Sequence, residues 1–279
     1  MINIAFARQI GWPAFIRRRV GLSLRKSVLG MDSYVSLPFG STYTAHKWDP
    51  SGSEIVMTKA LPDWGIEKNF CNWINRDGVF IDVGAHSGFY SLLLLPLMKK
   101  VVAIETSNRC ANVLRGIEEG YSNFKFLHAP AWRLDGEVIE INQSDDGWGQ
   151  ISGYDEHTGN RMTQMRSVSI DSIMRSESMP LTGMKVDVDG PDGEVVAGAM
   201  KIIERDNPLL LIETLPDEVK QKLLSLGYRC FSYAADRNMP WSLKFICVDD
   251  LSSGQWIKMT LCLPAPLVHL ASPSLIKNP

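Results

Sequence analysis

The sequence predicts an α/β fold built on an open, mostly parallel sheet, and three observations carry that expectation. Short apolar runs alternate with amphipathic segments from residue 79 to residue 225, the pattern of parallel strands joined by right-handed helical crossovers. A glycine turn, Gly84-Ala85-His86-Ser87-Gly88, joins the first run to the segment after it. Acids close several runs, namely Asp82, Glu105, Asp187 and Glu213, at the carboxyl edge where open α/β sheets bind ligands.

Taken in chain order, residues 33 to 60 mix Ser, Thr, Gly and aromatic residues. They predict short strands or a hairpin, with a turn at Asp49-Pro50-Ser51-Gly52. From Gly65 to Asn75, Ile66, Phe70, Trp73 and Ile74 recur at helical spacing. The core alternation then gives a strand at 79–83, a helix at 87–99 ended or kinked by Pro96, and a strand at 101–105. A helix follows at 108–119, capped by Ser107 or Asn108 and stopped by Gly120, before a strand at 124–127. Residues 134 to 170 interrupt the pattern. Strands are predicted at 137–142 and 166–170, with the polar, turn-rich 145–160 between them as a loop that contacts substrate or merely connects. The alternation resumes with a strand at 184–188, a helix at 192–205, a strand at 209–213, a helix at 217–225 and strands near 229–234 and 243–248.

Composition sets the class. With 45% hydrophobic and 22% charged residues, the chain of 279 residues reads as an ordinary soluble globular protein. A net charge of −2 argues against a nucleic-acid binder that relies on a broadly basic surface. The five cysteines, Cys71, Cys110, Cys230, Cys247 and Cys262, are scattered without a CxxC, so reduced core thiols are expected rather than a disulfide framework or zinc site. The apolar stretch from Leu92 to Met98 is far too short to span a bilayer, and a cytoplasmic protein is expected.

The first 31 residues stand apart. They hold Arg8, Arg17, Arg18, Arg19, Arg25 and Lys26, and no acid occurs before Asp32. Apolar Ile4, Phe6, Ile10, Phe15, Ile16, Val20 and Leu22 interleave with them. The favoured reading is a helix that docks on the core and exposes its arginines. The alternatives are a transit-like segment and a peripheral membrane contact through a basic amphipathic arm.

The glycine turn points to a nucleoside. Gly84 lets backbone approach a ligand, the helix start after it offers N–H groups, and Glu105 is placed to accept ribose hydroxyls. The GxGxxG that cradles a dinucleotide pyrophosphate is absent. Asp82 before the turn would also repel a pyrophosphate. S-adenosylmethionine carries a sulfonium, an ammonium and a ribose but no phosphate, so acids at 82 and 105 suit it. The alternative is an α/β unit whose acids simply cap loops.

A second cluster, Asp187, Asp189, Asp192 and Glu194, follows the strand at 184–188, and Glu213 arrives at the same edge one strand over. Such acids hold the cationic end of a cofactor, serve as a general base, or bind a hard cation such as Mg²⁺. Helix capping explains Asp192 or Glu194 but not Asp187 in a buried strand, where Lys185 is the obvious partner. Among histidines, His86 sits inside the glycine turn and His128 ends the third strand, near where an adenine would be read. His46, His157 and His269 join no constellation.

These segments resemble the FkbM family of S-adenosylmethionine-dependent methyltransferases. The matching stretches are VFIDVGAHSGFYS, VVAIET, HAPAWRLDGE, SVSIDSIM, MKVDVDGPDGEVVAGA, and NPLLLIET with LSLGY, in the family's order over residues 76 to 230. The resemblance implies a class I methyltransferase (Rossmann-like) fold, whose seven-stranded sheet is mostly parallel with the last strand antiparallel. It also implies O-methylation of a sugar, glycan or natural-product-like hydroxyl. By that resemblance Asp82, Gly84, Gly88 and Glu105 are cofactor residues; His86, Ser87, Thr106 and His128 are further cofactor candidates by their positions in the turn and at the strand ends. Lys185, Asp187, Asp189 and Gly190 match the family's acidic signature. His86, Thr106, Asp189 and Asp192 depart from the residues frequent there.

The implied organisation is an N-terminal arm and hairpin extension (1–75), a methyltransferase domain (76–250) and a tail (251–279). Asp187, with Asp189, is expected to orient or deprotonate the acceptor hydroxyl, and Asp187, Asp189 and Glu213 are the ligand set should Mg²⁺ be used. The rival readings are a non-catalytic cofactor-binding module recruited to a membrane or partner, and a dinucleotide-dependent oxidoreductase.

Overall fold

The computed structural model describes residues 7, 10–144, 149–151, 161–236 and 242–272. Helix α1 (Trp12–Ser23) starts with Pro13 in the first turn, where a missing N–H costs nothing. The predicted hairpin is β1 (Ser33–Ser36) paired antiparallel with β2 (Thr42–Ala45). The expected turn at 49–52 is instead the start of a helix, α2 (Pro50–Thr58), because Asp49 takes extended N-cap geometry and Pro50 fits the first helical position. Helix α3 (Ile66–Trp73) then delivers the chain to the core.

The core runs β3 (Val79–Val83), α4 (Phe89–Leu94), β4 (Lys100–Glu105), α5 (Asn108–Gly120) and β5 (Phe124–His128). Ser107 caps α5 by accepting from the Cys110 amide. The excursion forms β6 (Val138–Gln143), β7 (Gly149–Ile151) and β8 (Arg161–Arg166) in a small antiparallel sheet. Residues 145–148 and 152–160 of the expected loop, with His157, lie outside the described residues. The strand expected at 166–170 is not there. Ser169 caps a helix, α6 (Ile170–Arg175), by accepting from the Ser172 amide.

Beyond it, β9 (Leu181–Val186) stops before Asp187, so Asp187 and Asp189 occupy the turn after the strand. The helix expected at 192–205 is broken into α7 (Asp192–Ala197) and α8 (Met200–Asp206). Gly198 lies at the break, packed so tightly that a Cβ would collide with the Trp132 carbonyl. The chain then forms β10 (Leu209–Ile212), α9 (Asp217–Ser225), β11 (Arg229–Asp236), β12 (Leu243–Cys247), β13 (Gln255–Ile257) and β14 (Thr260–Leu263).

The central sheet, among the described residues, has the order β12-β11-β14-β10-β9-β3-β4-β5, with β13 also on β11. Strands β3, β4, β5, β9 and β10 are parallel, and β14 inserts antiparallel between β10 and β11. The seven strands from β5 to β11 therefore give the mostly parallel, Rossmann-like sheet with an antiparallel last strand that the class I methyltransferase resemblance implies. Strands β12 and β13 add to its edge. The antiparallel strand lies at 260–263, so the sheet continues past residue 250.

Alternation along the strands divides the core. Val79, Ile81 and Val83 pack with α6 to α9, while Phe80, Val101 and Ala103 pack with α3, α4 and α5. With both faces covered, the strand ends are the free edge. Asp82 has the parity of Phe80 and faces α4.

Candidate functional site

The loop after β3 is fixed by backbone sterics. Gly84 has φ 69°, and a Cβ there would run into the Asp187 carbonyl, so only glycine lets the ends of β3 and β9 approach. His86 and Asp189 also have positive φ, at 51° and 54°, backbone states that non-glycine residues hold only where their surroundings impose them. The amides expected to be open here are bonded within the protein. Gly84 and Ala85 donate to the Ile104 carbonyl at 3.0 and 3.1 Å, Gly88 donates to the Ala85 carbonyl at 2.8 Å, and His86 donates to Glu105 Oε2 at 2.7 Å.

Glu105 is the hub of this edge. Its Oε1 accepts from the Thr106 and Ser107 amides, both at 2.8 Å, so three backbone donors orient one carboxylate that still lines the cavity. Thr106 is tied to the small sheet, its hydroxyl donating to the Gly149 carbonyl and its carbonyl accepting from Gln143 at 2.8 Å. His128 braces the same carbonyl from behind at 3.1 Å.

Across the cavity, Lys185 is buried with its Nζ 3.1 Å from Asp187 Oδ2 and 3.7 Å from Asp82 Oδ1. It also donates to the Gly84 carbonyl at 2.7 Å. Burial works against its charge, but Asp187 and Asp82 outweigh that and raise its pKa. Asp82 is fully buried and accepts from Ser91 at 2.6 Å. Burial raises its pKa against the pull of Lys185. It is a partner of the lysine and does not reach the cavity.

Asp187, Asp189 and Glu213 bring carboxylate oxygens within 4.8 Å of one another. Burial pushes Asp187 upward, but Lys185 and a hydrogen bond from Glu213 hold it below the ordinary carboxylate range. Glu213 goes the other way, pushed up to about 9 by burial and by Asp187. One proton thus sits between two acids, as expected where like charges crowd.

The cavity between these groups encloses about 560 Å³, ample for a nucleoside-sized ligand. Gly84, His86, Ser87, Glu105, Thr106, Asp187, Asp189 and Glu213 all line it, whereas Asp82, Gly88 and His128 do not. Gly88 packs under Leu114 and Ile117 with φ 83°.

Sequence reasoning did not find the opposite wall. Asp49, fully buried, accepts from Tyr43 at 3.1 Å and from Ser87 at 2.9 Å, tying the extension to the glycine loop. Tyr90 donates to Asp63 at 2.7 Å. Lys258 bridges Glu54 and the Pro62 carbonyl at 2.6 and 2.8 Å beside Trp64. Only the Asp-Pro at 49–50 carried a local signal, read as a turn, while the rest depends on contacts between distant segments.

The donor set fits S-adenosylmethionine better than a pyrophosphate. The amides of residues 84, 85, 86 and 88 are already bonded, and both lysines lining the cavity are paired with carboxylates. A cavity lined by Glu105, Asp187, Asp189 and Glu213 favours a cationic ligand.

No protein-family model matches the chain, and no curated protein matches it. Among solved structures it is similar to a methyltransferase FkbM from Methylobacillus flagellatus KT (13% identity, TM-score 0.44), covering 90% of this chain and 58% of that one. It thus spans little more than half of that relative's length. It is similar also to SMU.1697c, a putative methyltransferase from Streptococcus mutans in complex with SAH (12%, TM-score 0.39, covering 71% and 96%). An rRNA methylase from Streptococcus thermophilus is a further likeness (10%, TM-score 0.38, covering 71% and 93%). At TM-scores of 0.44 and below, these likenesses concern overall shape and assign no substrate.

Proposed function

We propose that this chain is an S-adenosylmethionine-dependent methyltransferase that methylates a hydroxyl on a sugar, glycan or natural-product-like small molecule. The observation that carries the reading is one acidic cavity with Glu105 and the glycine loop at one end and Asp187 with Glu213 at the other. Bound there, the cofactor supplies an electrophilic methyl group on sulfur. Glu105, held by three amides, is placed to accept ribose hydroxyls without reorganising.

Asp187 is too weak a base to ionise a free alcohol. It accepts a hydrogen bond from the acceptor hydroxyl and takes the proton as the new C–O bond makes that oxygen acidic. Orientation supplies about 7 to 11 kcal/mol of such a barrier and a general base about 3 to 5, so positioning dominates. Asp187, Asp189 and Glu213, whose carboxylate oxygens lie within 4.8 Å of one another, are the residues that would hold a divalent ion should the reaction use one.

The test combines calorimetry with turnover. S-adenosylmethionine is expected to bind and NAD not, and Glu105→Ala to weaken cofactor affinity about tenfold or more. Asp187→Asn is expected to keep affinity but lose roughly 100-fold to 10,000-fold in turnover. Deuteromethyl label found on nitrogen or carbon of products from a metabolite pool would overturn the hydroxyl assignment, and NAD binding would overturn the cofactor.

A further inference from the structure

Helix α1 is apolar on two faces. One face packs inward, where Phe15 and Leu22 join Ala7 and Met57 in a small separate core. Arg18 donates to the Met57 carbonyl at 2.5 Å, and Lys26 to the Asp49 carbonyl at 2.9 Å and Ser53 at 3.1 Å, which clamps the helix onto α2. At about 100° per residue, the opposite face carries Trp12, Ile16, Val20 and Leu24, exposed at 47, 55, 60 and 50%. Leu24 already belongs to the following π-helical turn, and Val28, 72% exposed, carries the stripe to its end.

Such a contiguous apolar surface is unusual on a protein that leaves it in water. Its charge selects the partner. Arg17, Arg19 and Arg25 are exposed around the stripe, and residues 1 to 31 contain no acid although the whole chain is at −2. Two copies meeting through this face would bring like charges together. Apolar side chains flanked by arginines are instead complementary to lipid acyl chains beneath anionic headgroups. Among the described residues no helix is long and apolar enough to cross a membrane, so the contact is peripheral.

We propose that the outer face of α1 and its π-helical continuation docks the protein on an anionic membrane surface. Helix α2 connects this face to the cavity, since Met57 lies under α1 while Ser51, Glu54 and Ile55 line the cavity. Docking therefore brings the cavity to within one helix of the lipid surface.

The experiment is co-sedimentation of the full chain with vesicles of phosphatidylcholine alone or mixed with phosphatidylglycerol. Wild type is expected to pellet with the anionic vesicles and to be released by raised salt. Joint Ile16→Glu and Val20→Glu substitution is expected to abolish pelleting with circular dichroism and melting midpoint unchanged, because both side chains are exposed. Joint Arg17→Gln, Arg19→Gln and Arg25→Gln is expected to weaken it roughly a hundredfold. Wild type that fails to pellet, that binds both vesicles equally, or that keeps its binding in the two variants overturns the proposal. So does a dimer in light scattering that the glutamate pair dissociates.

Discussion

Lys185 and Asp187 are two residues apart, yet they belong to different structure: one ends inside a buried strand, the other begins the turn beyond it. The lysine lies 3.7 Å from Asp82 on one side and 3.1 Å from Asp187 on the other, so Asp187 stays ionised and Glu213 keeps a proton. A carboxyl whose pKa is raised by folding, here from 4.5 to about 9, contributes stability fully below 4.5 and loses it as pH rises through about 9. Glu67, pushed up to about 8 by burial and Asp63, acts with the same sign. The protein is therefore expected to resist urea better at pH 5 than at pH 9. Glu213→Gln, which keeps a donor toward Asp187, is expected to lose less stability over that interval and to sustain turnover at higher pH, read from unfolding midpoints and a pH–rate profile. The sequence showed Lys185, Asp187 and Glu213 as neighbours on one edge. It did not show the sharing of a proton, because that depends on distances below a strand spacing.

At the scale of elements, the strand–glycine–strand unit from Val79 to Glu105 was legible because each step has a local cause: apolar runs, a glycine needed beside Asp187, an acid at the strand end. The union of α2 with that loop was not. Asp49 reads locally as a turn residue, and only the fold brings Tyr43 and Ser87 to its Oδ2. Asp49→Ala is expected to remove the acceptor that Tyr43 and Ser87 share, leaving them only their bond to each other, and to cost about 1 to 3 kcal/mol, seen as a lower urea midpoint. A rise in the cofactor dissociation constant should accompany it, since the glycine loop loses its anchor. Asp49→Asn, which retains an acceptor, should recover most of both. The break between α7 and α8 was hidden for a similar reason: Gly198 yields to the Trp132 carbonyl, a contact that no helical periodicity announces.

For the molecule as a whole, the layer order followed from the alternation of apolar runs, whereas the outer limit of the sheet did not. Residues 260–263 are as buried as a core strand, but they stand far from the αβ rhythm that marks the rest. They pair with β10 on one side and β11 on the other. A chain ended at residue 250 is expected to be insoluble or to lack a cooperative unfolding transition, measured by soluble yield and near-ultraviolet circular dichroism. A soluble 1–250 with a sharp transition would show that β14 is dispensable.

Strand β14 also imposes an order in time. Its two neighbours are synthesised earlier, so the interior of the sheet is completed only when this later segment inserts between them. Trp256, Ile257, Lys258 and Met259, which wall the cavity, are delivered by the same segment. Pairing across such sequence separation is slow. A ribosome-bound chain would thus carry the glycine loop and Glu105 well before it carries a closed pocket, and competence to hold a ligand would come only once residues 256–263 have been made.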